Sequence, residues 1–264
     1  MKATAKSWLN LGLYLLTLAI NTLGAIGIIN GMSQRAISDA YPTLITPSTS
    51  TFSIWGVIYA LLLISLVFMI ITNKDERTTK LINKISVPFW VSCGANILWI
   101  ITFSYEWIGI STLLILAYAV SLAILVGRLN TPDGIGQKVN ALAFGVYLGW
   151  LIIASVVNVA AFLVQVKWDG FGLAAGTWAL IILIVALLLT CLIQLRLRNA
   201  AITLPLAWAY FGIWQQHRAQ GIFAGQYPAI VAATIIIGVI YVLIAVYIFI
   251  QNGRCLLPKS RTEA

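Results

Sequence analysis

Residues 146–158 read VYLGWLIIASVVN, and within this apolar run Tyr147, Trp150, Ala154 and Asn158 step by three, four and four. On a helix that spacing puts two aromatic rings, a small gap and an amide on one face. The pattern recurs. Phe52, Trp55 and Tyr59 share a face in TFSIWGVIYALL, and Asn96, Trp99 and Phe103 share one in CGANILWIITF. A later run repeats the spacing with Leu204, Trp208, Phe211 and Gln215. Chemistry of this kind is recognition: flat rings offer offset stacking and amides offer orienting hydrogen bonds. Taken singly, each such residue is better explained as an interface anchor or as polar glue between helices, and Trp8, Trp107, Trp168 and Trp178 read as anchors. Three converging stripes point instead to an aromatic cavity for a flat apolar ligand.

The elements that must position these faces follow from composition. The 264 residues are 61% hydrophobic and 9% charged, more apolar surface than a soluble domain can hide. Eight apolar runs are expected as spans, at about 8–29, 52–72, 85–104, 108–126, 140–166, 173–195, 200–215 and 229–250. The seventh is short and carries Pro205. Basic residues alternate between the connections. Lys2, Lys6, Lys74, Arg77, Lys80, Lys84, Arg128, Lys138, Arg196, Arg198, Arg254, Lys259 and Arg261 all fall on one side of an eight-span topology, leaving Arg35, Lys167 and Arg218 on the other. By the positive-inside bias both termini are expected to be cytoplasmic, in an integral membrane protein. The net charge of +9 therefore reports topology and attraction to the anionic leaflet, and no nucleic acid partner is expected.

The first run is longer than a signal-peptide core and ends without a cleavage pattern, so it reads as a retained helix. Cys93, Cys191 and Cys255 show neither disulfide nor zinc spacing, and no metal site is expected. The longest connection, residues 30–51, holds Pro42 and Pro47 among Ser and Thr, as an ordered external loop or lid would. Tyr105 to Trp107 closes a tight hairpin, and Gly127 to Gly136 (GRLNTPDGIG) is a turn-rich connection. Two small-xxx-small pairs, Gly145 with Gly149 and Gly172 with Gly176, mark close helix approaches.

The segments resemble the TspO/MBR family, the tryptophan-rich sensory proteins related to the mitochondrial translocator protein or peripheral benzodiazepine receptor. The family's fifth helix carries Tyr, Trp, Ala and Asn at the spacing of Tyr147, Trp150, Ala154 and Asn158. Its third helix pairs Asn with Trp ahead of aromatics, as Asn96, Trp99 and Phe103 do. Its second follows a Pro-rich loop into Trp-x-x-x-Tyr, matched by Pro47, Trp55 and Tyr59. Val146 replaces the family's usual Pro, and span five ends without the Tyr of the family's cholesterol-recognition pattern, which disfavours a sterol. The resemblance covers residues 8–167.

It implies an all-α polytopic transmembrane bundle: a five-helix unit at 1–167 and a three-helix extension at 168–264 with a short basic tail. It also implies a porphyrin or haem as ligand, no obligatory cofactor, and a homodimer or membrane-complex partner. Phe52, Trp55, Tyr59, Asn96, Trp99, Phe103, Tyr147, Trp150, Ala154 and Asn158 are the expected ligand-binding residues. Two other functions compete. With no charged residue inside a span, an ion-coupled transporter is disfavoured, though an uncoupled permease for a neutral molecule is not. An accessory subunit would use the extension's aromatic stripe as a docking face. An enzyme is the poorest reading, since the single His217, placed in the seventh loop, has no nucleophile at recognisable spacing. Light-dependent porphyrin breakdown, a family association, stays open.

Overall fold

A computed structural model describes residues 1–129, 135–218 and 221–257. Positions 130–134 of the turn-rich connection, and Lys259 and Arg261 of the tail, lie outside them. Among the described residues there are nine α-helices: α1 (Ala3–Ala25), α2 (Gln34–Ala40), α3 (Ile54–Ile71), α4 (Glu76–Ser104), α5 (Ile108–Arg128), α6 (Ile135–Gln165), α7 (Ala175–Leu197), α8 (Thr203–His217) and α9 (Pro228–Gln251). Seven of them, all but α2 and α8, are long and apolar enough to cross a membrane. The protein is an integral membrane helical bundle.

Five helices close a ring in the order α1, α3, α6, α5, α4 and back to α1. Helix α8 packs on the outside of α6, α9 on α8, and α7 on α9. Helix α6 is thus enclosed on every side, and residues 143–153 are all buried. Its sequence is accordingly apolar all round with no polar face to give up to water or lipid headgroups.

Contacts at the helix ends fix the topology. Lys6 Nζ donates to Asn83 Oδ1 at 2.7 Å, Asn199 Nδ2 to the Ala141 carbonyl at 2.9 Å, and Asn252 Nδ2 to the Arg198 carbonyl at 2.8 Å. Thr4 also bonds Asn73 just past α3, and Arg128 at the end of α5 bonds the Lys84 carbonyl, so the starts of α1, α4, α6 and α8 share one end of the bundle with the ends of α3, α5, α7 and α9. The start of the chain and the end of α9 lie at that basic end. Arg35, Lys167 and Arg218 belong to the opposite end, with α2 and the loop after it.

The seventh apolar run differs from the other seven. Helix α8 has 15 residues, about 22 Å at 1.5 Å per residue, against roughly 30 Å of hydrocarbon. It still runs from the basic end, where Asn199 bonds α6, to the loop end, where Gln215 meets Ser48. Protein rather than lipid covers its core-facing side, so a full-length apolar stretch is not needed. Pro205 sits in its first turn, where the missing N–H is tolerated.

Helix α4 begins nine residues earlier than its apolar run, because Asp75 caps it by accepting from Thr78 N at 2.9 Å. That bond, with others from the same turn, holds the Asp75 carboxyl below its usual range. Pro88 lies inside α4 and cannot bond the Lys84 carbonyl four residues back. Arg128, the last residue of α5, donates to that carbonyl at 2.9 Å. A proline deep in an apolar helix is tolerated because a neighbouring helix satisfies the freed group.

Buried amides tie the ring together layer by layer. Asn10 donates to Ser86 at 3.0 Å and accepts from Trp90 Nε1 at 2.6 Å. Asn21 donates to Asn96 at 2.8 Å, and Asn96 donates to Tyr118 and Tyr147 at 2.7 and 3.3 Å. Gly145 and Gly149 serve the seam between α6 and α8. A Cβ on Gly149 would overlap the Ile202 carbonyl, and one on Gly145 would come within 2.6 Å of the Asn199 amide. Only glycine lets the two backbones approach so closely.

Candidate ligand cavity

At the loop end of the ring the aromatic stripes of α3, α4 and α6 converge on a cavity of about 450 Å³. Phe52, Trp55, Tyr59, Trp99, Phe103, Trp150, Ala154 and Asn158 line it. The rings brace one another. Trp55 stacks on Tyr59 at 5.4 Å and meets Trp150 edge-on at 6.4 Å, while Phe52 meets Trp150 edge-on at 5.8 Å. Across the space Trp99 leans on Phe103 at 5.9 Å. These offset and edge-to-face arrangements are the ones aromatic quadrupoles favour, so the walls are preset.

Asn158 spends both amide protons and one of its two carbonyl lone pairs on protein partners. Its Oδ1 accepts from Trp99 Nε1 at 2.9 Å, and its Nδ2 donates to Thr112 Oγ1 at 2.7 Å and Ser111 Oγ at 3.2 Å. The amide joins α4, α5 and α6 and fixes the plane of the Trp99 indole. Asn96 and Asn158 do not bond each other: Asn96 bonds Asn21, Tyr118 and Tyr147, and Asn158 bonds Trp99, Ser111 and Thr112. Asn96 and Tyr147 lie one layer below the cavity, where they hydrogen-bond each other and Asn21. Tyr147 nonetheless touches the wall from behind, its ring 6.2 Å from Trp55.

Two buried donors at the cavity have no partner among the described residues: Trp150 Nε1 and Gln34 Nε2. Trp150 is only 2% exposed. A native interior seldom leaves such groups unpaired, because each costs about 1–3 kcal/mol. The cavity thus has stacking faces, and two of its lining residues carry unpaired buried N–H donors.

The lid is built from the long loop, and much of it went unread in the sequence. Ser33 caps α2 by accepting from Ala36 N at 3.1 Å, and Ile37 is completely buried against Phe103, Ile108 and Ala161. Gln34, Arg35, Ser38 and Asp39 of α2 face the cavity, as do Leu18 and Asn21 of α1. The signals were present: a Ser at N-cap spacing, an Arg–Asp pair four residues apart, and an amide inside the first span. Gly24 lets α2 lie on α1, since a Cβ there would come within 2.5 Å of Gln34 Nε2.

Two clamps hold the lid. Tyr41 donates to the Glu106 carboxylate at 2.8 Å, and Gln165 Nε2 donates to the Glu106 carbonyl at 2.9 Å. The anionic acceptor keeps the Tyr41 phenol above its usual range. The second clamp is α8. Ser48 N donates to the Gly212 carbonyl at 3.0 Å, Ser48 Oγ to Gln215 Oε1 at 2.6 Å, and Trp208 Nε1 to the Thr51 carbonyl at 3.0 Å. His217, expected in a loop as a surface or interface residue, is the last residue of α8 and 2% exposed. Its Nε2 lies 2.8 Å from the Leu44 carbonyl and so carries the proton there. No group of three or more metal-ligating side chains occurs among the described residues.

The family model of the TSPO-like protein matches residues 7–249. The chain belongs to this family. No curated protein and no solved structure matches it. The TSPO-like match runs through α7 and α8 and nearly to the end of α9, so it reaches well past the five-helix part that carries the motifs. In this TSPO-like chain α8 both packs the helix lining the cavity and seats the cavity's lid.

Proposed function

We propose that this TSPO-like membrane protein binds a flat, hydrophobic molecule of the tetrapyrrole class in the ring cavity, as a sensor or carrier. The observation that carries the reading is the cavity itself: three indoles from three helices, braced in preset orientations, around a space of about 450 Å³. Pockets of this size with aromatic walls and few polar groups suit stacking ligands. The absence of Asp, Glu, Lys and Arg from the middle of the apolar runs favours sensing or uncoupled carriage over ion-coupled transport. The concentration of basic residues at the terminus-bearing end favours a bacterial plasma membrane orientation with both termini cytoplasmic, which puts the lid outside.

The test is an absorbance titration of protoporphyrin IX into the nanodisc-reconstituted protein, with empty nanodiscs and Trp150→Leu alongside. Saturable binding is expected for the wild type, weakened about tenfold in the variant. A signal no different from that of empty nanodiscs would refute the reading.

A further inference from the structure

A second, wider space of about 880 Å³ opens above the first. The two share Arg35, Ser38, Asp39, Thr46, Thr49 and Gln216, so they adjoin. The lower one is walled by aromatics; the upper is a polar vestibule between the lid and the end of α8. Its charged residues are Arg35, Asp39 and Arg218. Arg35 pairs with Asp39 at 3.2 Å, both about half exposed. The Arg218 guanidinium lies 4.5 Å from the Trp214 ring centroid, over its face, and forms no ion pair among the described residues. The vestibule therefore carries one uncompensated positive charge. An uncompensated guanidinium in a polar space asks for an anionic acceptor there.

We infer that the vestibule takes the anionic end of an amphipathic carboxylic acid whose apolar body lies in the aromatic cavity. The inference rests on that cavity being the ligand site, and it makes α8 part of the site through Arg218 rather than only a support for the lid. A stacked guanidinium is held in place while its N–H edge stays free, which suits a carboxylate.

The experiment compares acids with their esters in phosphatidylcholine nanodiscs: protoporphyrin IX against its dimethyl ester, and pyrenebutyric acid against its methyl ester. Wild type, Arg218→Gln and Arg218→Lys are titrated with each, and empty nanodiscs correct for partitioning. For at least one pair the wild type should prefer the acid. Arg218→Gln should weaken that acid roughly three- to tenfold and leave its ester unchanged, and Arg218→Lys should restore much of the preference. Acid preference with pyrenebutyrate alone would uphold the vestibule while removing the tetrapyrrole reading. No acid preference in either pair, or equal weakening of acid and ester by Arg218→Gln, overturns the inference. Repeating the acid titration with phosphatidylglycerol in the disc separates two sources of the anion: competition assigns the site to an anionic lipid, its absence to a water-borne acid.

Discussion

On α6, Tyr147, Trp150, Ala154 and Asn158 follow one another at helical spacing, and on α8 Leu204, Trp208, Phe211 and Gln215 do the same. The α6 face is enclosed: Trp150 and Asn158 are 2% and 4% exposed, and the stripe forms a cavity wall with its supporting layer. The α8 face turns outward, with Leu204, Trp208 and Phe211 each about 40% exposed or more. Trp208, Phe211 and Trp214 form an outer ladder of stacked rings 5.4–5.5 Å apart, while Gln215 reaches over to hold Ser48. The difference lies in the neighbours. Helix α6 has α3, α5, α7 and α8 around it, whereas α8 has α6, α9 and the short turn at Thr49–Ser53. Spacing identifies a face; the helices around it decide whether that face lines a cavity or covers one.

The comparison breaks most sharply at the seam that keeps the two helices together. Gly149→Val would drive a side chain into the Ile202 carbonyl, which belongs to backbone and cannot step aside. A loss of about 3 kcal/mol is expected, read as a lower midpoint of unfolding in detergent with α8 and the lid loosened together. A variant as stable as wild type would mean that α8 does not sit on α6 as described.

A smaller effect separates wall from support. Asn158→Leu strands Trp99 Nε1 and removes the donor to two hydroxyls, and about 2 kcal/mol of stability should be lost. Indole fluorescence should also shift as Trp99 loses its fixed plane. Gln215→Leu, its counterpart on α8, breaks bonds to the part-buried Ser48 and the exposed Ser50 and should cost less; a larger loss there would reverse the roles given to the two stripes.

The lid's other clamp is weaker still. Tyr41→Phe removes one partly buried bond to Glu106, and about 1 kcal/mol is expected, seen as faster amide exchange confined to α2. Unchanged exchange in α2 would leave α8 as the only clamp that matters.

Much of this was legible beforehand. The apolar runs at 52–72, 108–126, 173–195 and 229–250 lie within about three residues of α3, α5, α7 and α9, because bilayer thickness dictates length. The aromatic periodicity also predicted which faces of α3, α4 and α6 turn together. What stayed hidden depends on partners distant in the chain. Pro88 is tolerated through Arg128, and the amide of Asn158 is spent on Trp99 and α5, neither of which local spacing reveals. Helix α2 is short and polar, so its one buried residue, Ile37, gave no periodic signal, and with it went four of the cavity's lining residues.

The central claim is that the α6 stripe, and not its likeness on α8, bounds the ligand space. Ala154→Phe fills that space from the α6 wall, whereas Phe211→Leu trims the outer ladder. Both are titrated with protoporphyrin IX in nanodiscs beside the wild type. Ala154→Phe is expected to lose about tenfold or more in affinity and Phe211→Leu to stay within about twofold. Equal affinities in all three, or loss confined to Phe211→Leu, would contradict that claim.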